Sequence, residues 1–302
     1  MKETKIYDVI IIGGSYAGLS AAMALGRSLK NVLVIDSGMP CNRQTPRSHN
    51  FLTQDGNTPS EIANLAKYQV SEYKTVEFYS GLAIAGKILK TGFEVSTECG
   101  AVFTASKLIF ATGIKDILPD IKGFSACWGI SVIHCPYCHG YEFRHQKTGI
   151  IANGDRAIHL ASLIHNLTDK LSILTGQKGQ FQSEQMLKLN RNQIDVVETE
   201  IVEIVHESGY IKELIFVDGK KEKFDAVYAA VPFVQHSEIP VALGCELTEQ
   251  GYIKIDNLQK TTIYGVYACG DSTEKVRSVA AAVNSGNIAG AMVNMELTQE
   301  LF

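Results

Sequence analysis

Ile6-Tyr7-Asp8-Val9-Ile10-Ile11-Ile12 runs into Gly13-Gly14-Ser15-Tyr16-Ala17-Gly18, and Leu19 to Leu29 follows, rich in Ala and Leu. The first run is apolar and β-branched and predicts a strand. The glycines predict a tight turn and the third run a helix. Asn31 to Ile35 predicts a returning strand that closes at Asp36. Together these make a βαβ unit, the start of a parallel sheet. A dinucleotide-binding turn needs a sharp bend, a close backbone approach to pyrophosphate and tight helix–strand packing. Gly13 suits the first need and Gly18 the third. Ser15 stands where the second glycine is usual, with Gly14 beside it. The helix N-terminus adds N–H groups and a dipole that favour phosphate. Asp36 follows at roughly the 20-residue spacing of an acid that binds a ribose hydroxyl.

Two further stretches repeat the strand–turn–helix pattern. Thr148 to Ala152, Asn153-Gly154-Asp155 and Arg156 to Asn166 form one, with Leu171 to Leu174 as its returning strand. Tyr264 to Cys269, Gly270-Asp271-Ser272 and Ser278 to Met295 form the other. Alternating segments such as Phe93 to Thr97 and Glu213 to Val217 predict antiparallel strands. The fold class expected is α/β, with two Rossmann-like nucleotide-binding domains of three-layer ββα type, the second inserted in the first. The boundaries place residues 1–116 and 244–302 in one domain and 117–243 in the other, with crossings near Pro119, Pro232 and Pro240.

Composition sets the limits. The chain has 302 residues, 45% apolar and 20% charged, with a net charge of −4. At this length a large core forms without disulfide staples. The charge balance argues against nucleic acid or anionic lipid as partners. No apolar run reaches the roughly 18 residues needed to span a membrane. The charged start, Met1 to Lys5, leads into a run that ends in glycines and does not read as a signal peptide, so a cytoplasmic location is expected.

Cys135-Pro136-Tyr137-Cys138 carries the clearest chemical signal. Two thiols at this spacing close a small disulfide, and a helix start lowers a thiol's pKa. Four chemistries are open to the segment: a redox dithiol, c-type haem through Cys135 to His139, zinc bound with His134 and His139, or two buried thiols. Cys41, Cys99, Cys127, Cys245 and Cys269 show no pairing logic and read as small hydrophobes.

The ordered set of motifs resembles the low-molecular-weight thioredoxin reductases, FAD-dependent pyridine nucleotide–disulfide oxidoreductases. It comprises Gly13 to Gly18 with Asp36, Ala111-Thr112-Gly113, the mid-chain CxxC, Cys269-Gly270-Asp271 and Arg277 to Ala282. Cys-Pro-Tyr-Cys-His-Gly-Tyr-Glu looks closest to the branch of gliotoxin- and holomycin-type dithiol oxidases. Typical thioredoxin reductases carry Asp directly after the second Cys, where this chain has His139. A His there acts as base or acid, or else merely caps the helix or faces solvent.

The resemblance implies FAD as cofactor, held by Gly13, Ser15, Ala17, Gly18, Asp36, Asn50, Thr112, Gly113, Gly270 and Asp271, with backbone contacts from Val279 and Ala280. It implies Cys138 as the flavin-side sulfur, Cys135 as the one that meets substrate, and His139 as a catalytic candidate. The partners implied are a thioredoxin-like protein or a small dithiol or disulfide, and a second copy in a homodimer. Family members rotate one domain against the other, which makes Asp116 and Val231 candidate hinges. The second nucleotide loop departs further. Ala152 replaces a glycine, and Gly154, Ala157 and Lys178 are its remaining NAD(P) candidates. Thr175 to Lys178 lacks both a ribose-binding acid and an arginine, so NADPH stays open. Three electron routes follow: NADPH-linked reduction, O2-dependent dithiol oxidation, or reduction by a carrier such as ferredoxin. A non-catalytic flavin module with a redox switch is the alternative of another class.

Overall fold

The computed structural model describes residues 6–302, so Met1 to Lys5 lie outside the described residues. The chain divides into two compact units. The first holds residues up to Arg43, Asn50–Lys115 and Phe233–Phe302, and the second holds Gln44–His49 and Asp116–Pro232. The return to the first unit therefore falls at Phe233, not at 244. The reason is packing: Ile239 and Leu243 bury against Ile10, Ile12 and Val95 in the first unit's core. The short stretch 44–49 also departs from the expected boundaries by grouping with the second unit.

The first unit is built on a seven-stranded sheet. In space the strands run Val76–Ser80, Val32–Asp36, Ile6–Ile12, Val102–Phe110, Phe93–Thr97 and Ala83–Ile88, and Val266–Ala268 also pairs with Val102–Phe110. Strand Ile6–Ile12 is parallel to both its neighbours, with Val9 opposite Val32 and Lys107. Its side chains alternate between two apolar layers, as a strand buried on both faces requires. Val9 and Ile11 meet the helices, while Ile10 and Ile12 meet the antiparallel strands.

The opening helix, Tyr16–Arg27, starts earlier than its apolar pattern suggests, which makes Ser15 its N-cap. It crosses the closing helix, Val279–Leu301, at small residues. A Cβ on Gly286 would lie 2.0 Å from the Ala17 carbonyl oxygen, and one on Gly290 2.6 Å from that of Ala21. Only glycine allows backbones this close. The far end of the closing helix is anchored by charge. Lys107 Nζ lies 2.7 Å from Glu296 Oε1, and Lys260 Nζ 2.6 Å from Glu296 Oε2. Tyr267 donates to the same carboxylate at 2.9 Å. Burial alone would raise the Glu296 pKa, but these donors outweigh it and hold the group at about 2.

The second unit carries a five-stranded parallel sheet in the order Asp195–Val197, Leu171–Leu174, Thr148–Ile151, Ala226–Ala229 and Val132–Ile133. A separate antiparallel sheet, Ile201–Glu207, Tyr210–Phe216 and Lys221–Glu222, contains most of the alternating segment read from the sequence. Strands Ile114–Asp116 and Phe233–Gln235 pair as a two-stranded ribbon. Among the described residues, no helix is long and apolar enough to cross a membrane.

Candidate functional site

In the first unit the glycine turn sits at the C-terminal ends of the parallel strands, the edge where open α/β sheets bind ligands. Gly13 has φ +105°, and a Cβ there would lie 2.2 Å from the Ala111 carbonyl oxygen. A Cβ on Gly18 would lie 1.9 Å from the Gly13 carbonyl oxygen. Both positions require glycine for close packing. The Gly14 amide donates to Asp36 Oδ1 at 3.1 Å, which brings the acid that ends the second strand onto the turn. Ser15 makes no side-chain cap bond to the opening helix. Its first turn, which includes Ala17 and Gly18, therefore keeps the phosphate-binding character of an uncapped N-terminus.

Two distant motifs converge on this turn. Thr112 and Gly113 follow Ala111 directly, and the Thr112 hydroxyl is buried without a hydrogen-bond partner among the described residues. A Cβ on Gly270 would lie 3.0 Å from Ala17 Cβ, so the C-terminal Gly-Asp reaches the opening helix. The Ser285 hydroxyl accepts from the Gly270 amide at 3.0 Å and fixes it there. Asp271 is flanked by Arg277 at 3.5 Å and by the Cys41 thiol at 3.9 Å. Val279 and Ala280 open the closing helix, whose N-cap Ser278 accepts from the Ala281 amide at 3.1 Å. Asn50 stands apart on an exposed loop, at φ +60°, with its amide donating to Asp55 at 2.7 Å.

These features fit FAD: a cradle of close-packed glycines, an acid on the turn, and an orphaned buried hydroxyl beside it. A cavity of 670 Å³ in the first unit is lined by Thr104 to Lys107, Gly92 and Tyr264, toward the opposite end of the sheet. It is remote from this chemistry.

In the second unit Cys135 and Cys138 are joined in a disulfide, with their Cα atoms 5.4 Å apart. Sulfurs bonded to each other have no thiolate to offer zinc or haem. The helix that follows Cys135 is a single turn, Pro136–His139. Cys135 is its N-cap, and its Sγ accepts from the Cys138 amide at 3.2 Å. Gly140 ends the turn and is required there. A Cβ would lie 2.3 Å from the Pro136 carbonyl oxygen and 3.0 Å from the Tyr228 hydroxyl.

The surroundings of the pair are histidine-rich. His139 is half-buried, and desolvation, with His49 next, lowers its pKa from 6.5 to about 4. It is therefore neutral at physiological pH and able to accept a proton. His49 Nε2 lies 3.5 Å from Glu142 Oε1. The Tyr228 hydroxyl is buried and unpartnered among the described residues, and burial and then Glu142 push its pKa up. The sequence reading missed His49, Glu142 and Tyr228, because nothing in the local pattern announces contacts this distant along the chain.

Gly154, Ala157 and Lys178 also come out in the second unit. Gly154 has φ +56° and opens a helix, Gly154–Ile164, and Ala157 is fully buried in it. Lys178 is exposed. The N-cap side chain here, Asn153, accepts from the Gly154 and Gln180 amides of these loops.

Comparison with known proteins agrees with this geometry. Residues 7–286 match the family profile of pyridine nucleotide-disulphide oxidoreductases. The thioredoxin reductase tcpT of Claviceps purpurea is 30% identical over 312 residues, covering 100% of this chain and 97% of its own. A putative thioredoxin reductase, TrxB, from Bacillus anthracis superposes with a TM-score of 0.93 at 29% identity, covering 98% of this chain and 100% of its own. The crystal structure of HlmI superposes with a TM-score of 0.92 at 28% identity, covering 99% and 94%.

Proposed function

We propose that this chain, which belongs to the pyridine nucleotide-disulphide oxidoreductase family, moves electron pairs between a substrate dithiol or disulfide and its own Cys135–Cys138 couple, with FAD held by the first unit. It is a thioredoxin reductase-like enzyme by its relatives. The observation that carries the finer reading is the Cys135–Cys138 disulfide beside a half-buried, neutral histidine.

The residues divide the work. In the oxidative direction a substrate thiolate attacks Cys135 Sγ, the Cys135–Cys138 bond breaks, and Cys138 leaves as a thiolate. The second substrate thiol then attacks its partner sulfur in the mixed disulfide and releases Cys135 as a thiolate. Two electrons pass from substrate to the couple and two protons are released. Neutral His139 is placed to pass one of them on to solvent, since an imidazole lowered to about 4 does not keep a proton at neutral pH. In the reductive direction the same bonds form and break in reverse, with Cys135 attacking a substrate disulfide. When bound, FAD supplies the two-electron carrier that restores the couple to its starting state. Gly13 would supply the sharp bend, Gly18 the close helix packing and Gly14 room beside the phosphates, while Asp36 would hold the ribose and Asp271 the ribityl chain. A thioredoxin-like protein and a small dithiol are both chemically suited as partner.

The test is anaerobic mixing of the yellow protein with dithiothreitol, followed by flavin absorbance. The wild type should bleach and Cys138→Ser should not. Bleaching of both at equal rates would reject the role given to the couple.

A further inference from the structure

We infer that Asn153 closes the second nucleotide loop by occupying it, so that this loop does not take NADPH or NADH. Strand Thr148–Ile151 leads through Ala152 to Asn153, the N-cap of helix Gly154–Ile164. In a dinucleotide site this position leaves the loop amides open to pyrophosphate. Here the Asn153 Oδ1 accepts from the Gly154 amide at 2.9 Å and from the Gln180 amide at 2.8 Å. Its Nδ2 donates to the Lys178 carbonyl at 3.1 Å. One carboxamide thus ties the loop after the first strand of the unit's nucleotide motif to the loop after the second, across the cleft where an adenosine would lie. The backbones meet as well, since a Cβ on Gly154 would lie 3.4 Å from the Gln180 carbonyl oxygen.

Charge is balanced at these loops, where the carboxylates of Asp155 and Glu198 are as exposed as the cations nearby. Asp155 sits in the helix's first turn, held by the Gln185 Nε2 at 2.6 Å. Glu198 Oε1 accepts from the Gly179 amide at 2.7 Å, on the loop that would meet a ribose or its 2′-phosphate. The nearby cations, Arg156 and Lys178, are exposed. A phosphate would have to displace a neutral ligand that makes three hydrogen bonds. The N-cap of the first unit's opening helix differs: the Ser15 side chain caps nothing.

The inference deepens the proposed function, on which it rests, by removing one electron donor and leaving the dithiol substrate to charge the couple. Binding of NADPH and NADH to the full-length protein would be followed by calorimetry, with amide hydrogen exchange at Gly154 and Gln180. The wild type should not saturate up to about 1 mM, the weak end of specific affinity. Asn153→Ala frees two amides for a charged acceptor and should bind at least about tenfold tighter, with both amides newly protected by the nucleotide. Asn153→Ser serves if the Ala variant does not fold. Wild-type binding below about 100 μM with protection at those amides would overturn the inference. So would folded Ala and Ser variants that bind no tighter. Dithiothreitol bleaching of the wild type, measured in parallel, tests the premise separately, because its failure would reject the sulfur couple's role whatever the nucleotide result.

Discussion

The two units place a similar strand–glycine–helix turn at the same edge of a parallel sheet, yet the turns differ in what holds their amides. In the first, Ser15 leaves the helix N-terminus without a side-chain cap, and an acid from the neighbouring strand, Asp36, takes only the Gly14 amide. In the second, Asn153 takes the amides of Gly154 and Gln180 together. The helix packing differs too. Gly18 lies so close to Gly13 that no side chain fits, whereas the matching place in the second unit holds Ala157, fully buried. One local form thus carries two different sets of hydrogen bonds, with an uncapped helix start in the first unit and a loop bridged by Asn153 in the second.

Exchanging residues across the two turns sharpens the contrast. Gly18→Ala puts a methyl 1.9 Å from a backbone oxygen. Overpacking of this kind costs about 1–3 kcal/mol or more. The variant should purify colourless and unfold at lower urea. A yellow variant of wild-type stability would remove the basis for calling this turn the cradle.

The next effect is on rate and lies in the second unit. His139→Asn should slow the transfer from dithiothreitol to the couple by roughly a hundredfold at neutral pH, the lower end of what a positioned base contributes. The sign with pH is specific. In the wild type the rate should fall as pH drops toward about 4, where His139 becomes protonated and can no longer accept. In His139→Asn the rate should climb steadily with pH, because only thiol already ionised in solution can then react. Parallel profiles for the two proteins would show that His139 only fills space.

Ala157→Gly gives the smallest effect. Helix Gly154–Ile164 would lose a buried methyl and gain backbone entropy when unfolded. The cost should be about 1 kcal/mol in urea unfolding. A loss as large as that of Gly18→Ala would mean that the two turns are packed alike.

Much of this contrast was legible in the chain itself. The apolar runs, the glycines and Asp36 announced the first βαβ unit because each meets a local steric or electrostatic need that sequence spacing records. The Cys135–Cys138 pairing was legible for the same reason, since a disulfide at that spacing needs only a turn. The boundary near Phe233 was not, because it depends on Ile239 and Leu243 packing against strands more than a hundred residues away. The pairing of His49 with Glu142 is likewise tertiary. Asn153 was read only as part of a turn, although Asn is among the best residues at an N-cap, the position it takes in the fold. What the chain could not display is that the same side chain also reaches Gln180, which takes a loop folded back from the neighbouring strand.

The account stands or falls on whether the couple in the second unit exchanges electrons with a flavin carried by the first. Rapid mixing of the yellow wild-type protein and its Cys138→Ser variant with dithiothreitol, without oxygen, reads this directly. Full loss of flavin colour in the wild type and a persistent yellow in the variant is the result expected. Equal bleaching of the two, or a wild type that keeps its colour, would contradict it.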